Sequence, residues 1–121
     1  MEKEYWGYHL ILDVKGCHLP CARNPDYIRT FVADLVDAID MEAYGDTQIV
    51  HFGKPEENKS GWTFVQLITT STMMGHFLDH NGDAYIDVFS CKPFDPEIVK
   101  EKLQVYFWPE NIKVDFKQRQ A

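Results

Sequence analysis

Basic side chains are few: 12 Lys and Arg stand against 19 Asp and Glu, which leaves a formal charge of −7 over 121 residues. No Lys/Arg cluster interrupts that balance, and a surface of this sign repels a phosphate backbone, so nucleic acid is not an expected partner. The chain lacks any apolar run near the roughly 18 residues of a membrane-spanning helix. Its opening segment Met1-Glu-Lys-Glu-Tyr-Trp6 also lacks the apolar stretch of a secretory leader. A cytoplasmic protein without a membrane partner is expected. Cysteine is scarce, and Cys17, Cys21 and Cys91 form an odd set that suits a reducing compartment better than a disulfide framework. Cys17 and Cys21 are four apart, but no second Cys or His pair completes a zinc-finger spacing, so both are read as plain thiols and no metal is expected. A Gly-rich phosphate loop, HExxH and GxSxG are also missing, which removes sequence support for the common nucleotide, zinc-protease and hydrolase mechanisms.

What is present suffices for a core. With 45% hydrophobic and 26% charged residues, a chain of this length is expected to fold as one globular domain over residues 1–121. Residues 7–14 mix β-branched, aromatic and polar side chains and stop at Lys15-Gly16, as a first strand would. After a loop through Pro20 and Pro25, the apolar residues Ile28, Phe31, Val32, Leu35, Val36 and Ile39 follow the stripe of an amphipathic helix, with Asp26 as its expected N-cap. Residues 47–52 read as a strand, and the polar segment 54–61 as a surface loop. Strands are then expected over 62–69, 73–78 and 84–91. The last two flank Asn81-Gly82, the usual signal for a two-residue hairpin. Asp95-Pro96-Glu97 supplies an N-cap, a proline at the first helical position and an early acid, so a second helix is expected until Trp108-Pro109. Residues 112–116 alternate apolar with charged, as a final half-exposed strand does.

The order β-α-β-β-β-β-α-β has runs of adjacent strands and few βαβ units. It predicts an α+β two-layer sandwich, a mainly antiparallel sheet with two helices on one face. The other sheet face must meet something, and a second copy of the same sheet is the simplest cover, so a homodimer is expected.

The chemistry is sought by clustering. Thr69-Thr70-Ser71-Thr72 is a hydroxyl-rich run with His76 five residues past Ser71 and Cys91 across the following hairpin. A two-residue turn at Asn81-Gly82 would set His76 opposite Asp87, and Cys91 opposite Thr72 beside Ser71, so hydroxyl, imidazole and thiol are expected to converge. Asp79-His-Asn-Gly-Asp83 has the outline of a calcium loop but lacks the third acidic ligand and the closing Glu, so it is read as a turn.

At these positions the chain resembles the prokaryotic-type S-adenosylmethionine decarboxylases. The resemblance runs from Gly7-Tyr-His-Leu through Cys17, His51-Phe52 and Ser60-Gly61 to Ser71, His76 and Ala84-Tyr-Ile-Asp-Val-Phe-Ser-Cys91, then to Asp95-Pro96. Its most specific elements are the steps of five and twenty residues from Ser71 and the run Asp-Val-Phe-Ser-Cys. The resemblance implies a proenzyme that cleaves itself between Thr70 and Ser71. Ser71 would become a pyruvoyl group that forms a Schiff base with S-adenosylmethionine and draws electrons as carbon dioxide leaves, feeding polyamine (spermidine) synthesis. His76 matches a histidine that aids the elimination step, and Cys91 matches the family's proton donor. A processing hydroxyl is implied upstream: Ser60 matches its Ser-Gly context, while Thr63 sits nearer in spacing. Phe52 is the nearest match to a family stacking aromatic and is equally compatible with a core position.

The departures are specific. The family usually carries Glu before the cleavage serine and His after it, where this chain has Thr70 and Thr72. Its Trp-Pro-Glu after the histidine is replaced by Phe77-Leu-Asp-His80, with Asp79 as the expected substitute for a ribose-binding carboxylate. Two alternatives therefore stand beside the decarboxylation of S-adenosylmethionine. One is the same chemistry on another amino acid such as arginine or ornithine; the other is an uncleaved binding or regulatory protein.

Overall fold

The computed structural model describes residues 4–121; the first three residues of the charged opening segment lie outside it. Six strands form one sheet: β1 (Gly7–Lys15), β2 (Gln48–Phe52), β3 (Gly61–Ile68), β4 (Ser71–Leu78), β5 (Ala84–Ser90) and β6 (Asn111–Arg119). They lie in the order β2-β3-β4-β5-β1-β6, and every neighbouring pair is antiparallel. Two main helices, α2 (Pro25–Ala38) and α3 (Pro96–Phe107), follow a four-residue helix α1 (Leu19–Ala22). The expected two-layer α+β architecture is therefore observed. Two pieces have no strong sequence signal: α1, and a short 3-10 turn at Pro55–Glu57 within the polar loop.

The period-2 alternation of the strands sorts the sheet into two faces. Leu10, Leu12, Phe64, Met73, Phe77, Ile86 and Val88 point to one side, where α2 contributes Ile28, Phe31, Val32 and Leu35, and α3 contributes Val99, Leu103 and Phe107; all are buried in one cluster. Gly75 belongs to this face because Phe64 lies across it, and a Cβ there would stand 2.3 Å from the Phe64 ring. The opposite face carries Val50, Phe52, Leu67, Met74 and Tyr85 exposed to solvent. The caps follow the local chemistry. Asp95 accepts from the Glu97 N–H with Pro96 next, as expected. The α2 cap is Asn24 rather than Asp26, since Asn24 takes an extended conformation and accepts from the Tyr27 N–H at 3.1 Å. Pro25 fills the first helical position, which leaves Asp26 as a first-turn acid in the field of the helix N-terminus.

The β4–β5 register differs from the sequence expectation by two residues. His76 pairs with Tyr85, not Asp87, and Ser71 pairs with Ser90. The connection is a four-residue loop closed by Leu78 N–H to Asp83 O at 2.9 Å. Asn81 spends its side chain inside that loop, accepting from the Asp83 N–H at 2.9 Å. Gly82, at φ +79, aims its carbonyl at the Cys17 N–H, 2.9 Å away. Ties to the end of β1 thus outweigh the two-residue turn that an Asn-Gly pair favours in isolation.

Candidate active site

The three residues expected to converge divide into two neighbourhoods. Ser71 opens β4, directly after the two-residue turn Thr69-Thr70 that joins it to Ile68 of β3. Position 71 shares the helix-side face with Met73 and lies opposite Ser90, which is fully buried. Cys91 follows at once, half-buried and unpaired to any other cysteine. Its N–H donates to the Thr70 carbonyl at 3.0 Å, so Cys91 faces Thr70 rather than Thr72. The carbonyl that a Ser71 hydroxyl would attack is thereby already polarised by a backbone donor, the arrangement used to stabilise an oxyanion. The Ser71 hydroxyl itself has no hydrogen-bond partner among the described residues.

His76 does not join them. Five residues along a strand are an odd step, so its side chain emerges on the opposite face, and at about 3.3 Å per residue its Cα is some 17 Å away. There it meets the hydroxyl of Thr63, its cross-strand partner, with Oγ1 and Nδ1 2.8 Å apart. The imidazole and Thr63 line an open cavity of about 320 Å³ with Phe52, Trp62, Tyr85 and Lys59. Phe52 is 56% exposed and belongs to this wall, not to the core.

Ser60 and Asp79 belong to a separate cluster. Asp79 Oδ2 lies 2.6 Å from His51 Nε2 and accepts from the Ser60 hydroxyl at 3.2 Å. Its carbonyl accepts from the Arg23 guanidinium at 2.6 Å. These bonds clasp the loop after β4 onto β2 and the end of α1. The Asp79 carboxylate is therefore occupied and does not line the cavity where a ribose-binding acid was expected. Of the two processing hydroxyls weighed from sequence, only Thr63 bonds the imidazole. The antiparallel β3–β4 register, which puts residue 63 opposite 76, is the signal for that contact. The remaining thiols behave as side chains of the fold: Cys17 is buried, and burial, with the Asp83 carboxylate nearby, pushes its thiol up to about 12.

A crystal structure of the adenosylmethionine decarboxylase from Aquifex aeolicus shares this fold, with a TM-score of 0.81 over 98% of this chain and 93% of that one, at 19% identity. Residues 8–120 match the family model described as S-adenosylmethionine decarboxylase, and the chain belongs to that family, a family of carboxy-lyases. Among its relatives, an S-adenosylmethionine decarboxylase proenzyme of Clostridium botulinum strain Hall is 29% identical over 119 residues, 95% of this chain and 93% of the relative. A proenzyme of the same name from strain Loch Maree is 28% identical over 93 residues, 76% and 75% of the two chains.

Proposed function

We propose that this chain cleaves itself between Thr70 and Ser71 and then decarboxylates S-adenosylmethionine. The observation that carries the reading is the Thr70–Ser71 peptide itself: an unpartnered serine hydroxyl beside a carbonyl held on the Cys91 N–H. In the first step Ser71 Oγ bonds to the Thr70 carbonyl carbon and the C–N bond breaks. An ester forms, and the hydroxyl proton ends on the freed Ser71 amine. Removal of the Ser71 Cα proton then breaks the Cβ–Oγ bond, releasing Thr70 as a carboxylate. Hydrolysis of the dehydroalanine left at position 71 expels ammonia. The neighbourhood fits the resulting pyruvoyl group, because position 71 begins a strand beside the half-buried Cys91, the proposed proton donor in turnover. A pyruvoyl group supplies a ketone that captures an amine and draws electrons as carbon dioxide departs.

His76, with Thr63 bonded to it, is proposed as the group that assists cleavage, and its distance from Ser71 of the same chain sets a condition. The two act together only if a second copy brings its imidazole to this chain's Ser71, so we propose a homodimer with each site shared. The exposed apolar residues around the Thr63–His76 pair supply the surface for that association, and covering them removes apolar area from water. Phe52, Trp62 and Tyr85 around His76 suit a purine ring and a sulfonium cation. Each cation–π contact contributes about 0.5 to 2 kcal/mol.

Two measurements test the reading. Denaturing mass spectrometry of the purified chain is expected to give fragments 1–70 and 71–121, the second blocked at its N-terminus. An intact mass after prolonged incubation overturns the decarboxylase reading and leaves a binding or regulatory protein. Carbon dioxide release is then expected from S-adenosylmethionine and not from arginine or ornithine, with Ser71→Ala as the blank; release from either of the latter alone reassigns the substrate.

A further inference from the structure

The turn that carries the scissile bond closes on the Ile68–Ser71 pair of the β3–β4 ladder, without the backbone conformation usual for its length. Two-residue hairpin loops usually place one or both central residues at positive φ, whereas neither Thr69 nor Thr70 has a positive φ. Neighbours tie the turn further. The Thr69 N–H donates to Glu42 O at 2.9 Å, and Thr70 O accepts from Cys91 as described. The side chain of Thr70 is the third point of attachment. Ser90 Oγ donates to Thr70 Oγ1 at 2.8 Å, Lys92 N–H donates to Ser90 Oγ at 3.0 Å, and Thr70 Oγ1 donates to Met41 Sδ at 3.3 Å.

This chain is anchored at both ends. A backbone N–H can only donate and a thioether sulfur can only accept. Met41 Sδ is within reach of both hydroxyls, 3.3 Å from Thr70 Oγ1 and 3.7 Å from Ser90 Oγ, so the two side chains converge on one sulfur. Ser90 is fully buried, and water does not replace a bond lost there. Thr70 is thus gripped at its carbonyl by Cys91 and at its hydroxyl by Ser90, which limits how the Thr70 carbonyl carbon can turn relative to Ser71 Oγ.

We propose that Ser90 is a positioning residue for self-cleavage, orienting the scissile carbonyl through the Thr70 hydroxyl. This rests on the self-cleavage reading above. It assigns the threonine that stands where the family usually has glutamate a role on the protein side of the reaction: its hydroxyl is occupied by Ser90 and Met41. Orientation of this kind acts on the rate of attack, because reacting atoms must meet at close range and proper angle.

The test uses the full chain and two readouts, the rate at which fragments 1–70 and 71–121 appear and the amount of chain cut by hydroxylamine, which attacks esters and spares amides. Ser90→Ala and Thr70→Val are each expected to slow both by about tenfold, the scale of one oriented hydrogen bond. Because they break the same contact, the double variant is expected to be no slower than the slower single variant. Ser90→Thr, which keeps the hydroxyl, is expected to restore cutting to within about threefold of the original chain. A purely structural hydroxyl would instead lower the thermal midpoint and leave the cutting rate of the folded fraction unchanged. Unaltered cutting in folded Ser90→Ala, or multiplicative slowing in the double variant, overturns the proposal while leaving self-cleavage intact. An original chain that yields no fragment and no hydroxylamine product overturns both readings. If Ser90→Ala does not fold, Thr70→Val decides: it leaves Lys92 N–H bonded to Ser90, and unaltered cutting by it overturns the proposal.

Discussion

The two ends of β4 differ in nearly every physical respect. At its start, Ser71 lies beside a carbonyl fixed by Cys91 and a threonine side chain fixed by buried Ser90, on the face that packs against the helices. Near its other end, His76 stands on the bare face, bonded to Thr63 and open to a cavity. The first end holds a bond in place; the second offers a titratable ring and room for a ligand. A spacing of five therefore has opposite meanings in different structures. On a helix it nearly completes a turn and a half, whereas on a strand it crosses the sheet. One chain presents the two halves of the proposed reaction, which its own strand keeps apart.

The sharpest way to break this comparison is to put the halves on different chains. Ser71→Ala and His76→Ala are each expected to abolish or nearly abolish cleavage alone. Mixed after co-refolding, they are expected to restore cutting of the His76→Ala chain only, because its intact Ser71 then meets an intact imidazole on the other copy. Mass spectrometry tells the two chains apart. A mixture that stays uncut means that the imidazole acts within its own chain or takes no part, and the shared-site homodimer is then wrong.

A smaller effect separates backbone from side chain at the Ser71 end. The contact with Thr70 O comes from the Cys91 N–H, and Cys91→Ala keeps that donor. Cleavage of Cys91→Ala is expected to proceed within about threefold of the original rate, while turnover falls by about 10²-fold or more if the thiol is the proton donor. Lost cleavage with normal turnover per cut chain contradicts that division. Smaller again is the contrast between the two upstream hydroxyls. Thr63→Val removes the imidazole's partner and is expected to slow cutting by about tenfold. Ser60→Ala, which loosens only the clasp on Asp79, is expected to stay within about threefold. The reverse order would return the processing role to the Ser-Gly match.

That pair also shows where sequence reading succeeds and where it stops. Strand and helix identities follow from period, and Asp95-Pro96 and Trp108 mark the ends of α3 as anticipated, because these features depend on neighbours close in the chain. The α2 cap moved from Asp26 to Asn24 because the first apolar residue of the stripe, Ile28, lies inside the helix and not at its start. Register is different. The Asn81-Gly82 pair predicts a two-residue turn, but Gly82 O and the Asp83 carboxylate bond the backbone N–H groups of Cys17 and Gly16. Those contacts span more than sixty positions of sequence and are invisible in a local window. A shift of two keeps every side chain on its expected face, so the layer assignment survived while the pairings of His76 and Cys91 did not. The separation of Ser71 from His76 was open to inference, since an odd step along any strand implies it. The Ser90–Thr70–Met41 cluster was not, because it depends on the β4–β5 register and on Met41, which arrives from the segment after α2.

The smallest expected effect lies away from both ends of β4, in the seam between α2 and α3, and serves as the control for the comparison. Asp34 accepts from the Lys102 ammonium at 3.0 Å and from the Tyr106 hydroxyl at 2.8 Å. These bonds hold its carboxyl below the usual value, and the same carboxylate pushes the Tyr106 phenol upward. A carboxyl depressed on folding stabilises the native state fully above its unfolded value of 3.8, and that contribution disappears as pH falls through the lower folded value. The Asp34 side chain is 38% exposed, so solvent screening keeps the contribution below about 1 kcal/mol. Asp34→Asn is thus expected to lower the urea midpoint slightly at pH 7, with the gap closing in acid where the original carboxyl is itself protonated. Self-cleavage at pH 7 is expected to be unchanged, since the seam touches neither Thr70 nor Thr63. A gap that persists unchanged below the folded value would assign the effect to packing of the side chain rather than to its charge. A change in cutting rate would mean that the helix layer transmits strain to the turn at Thr70, and the two ends of β4 would then no longer account for the reaction by themselves.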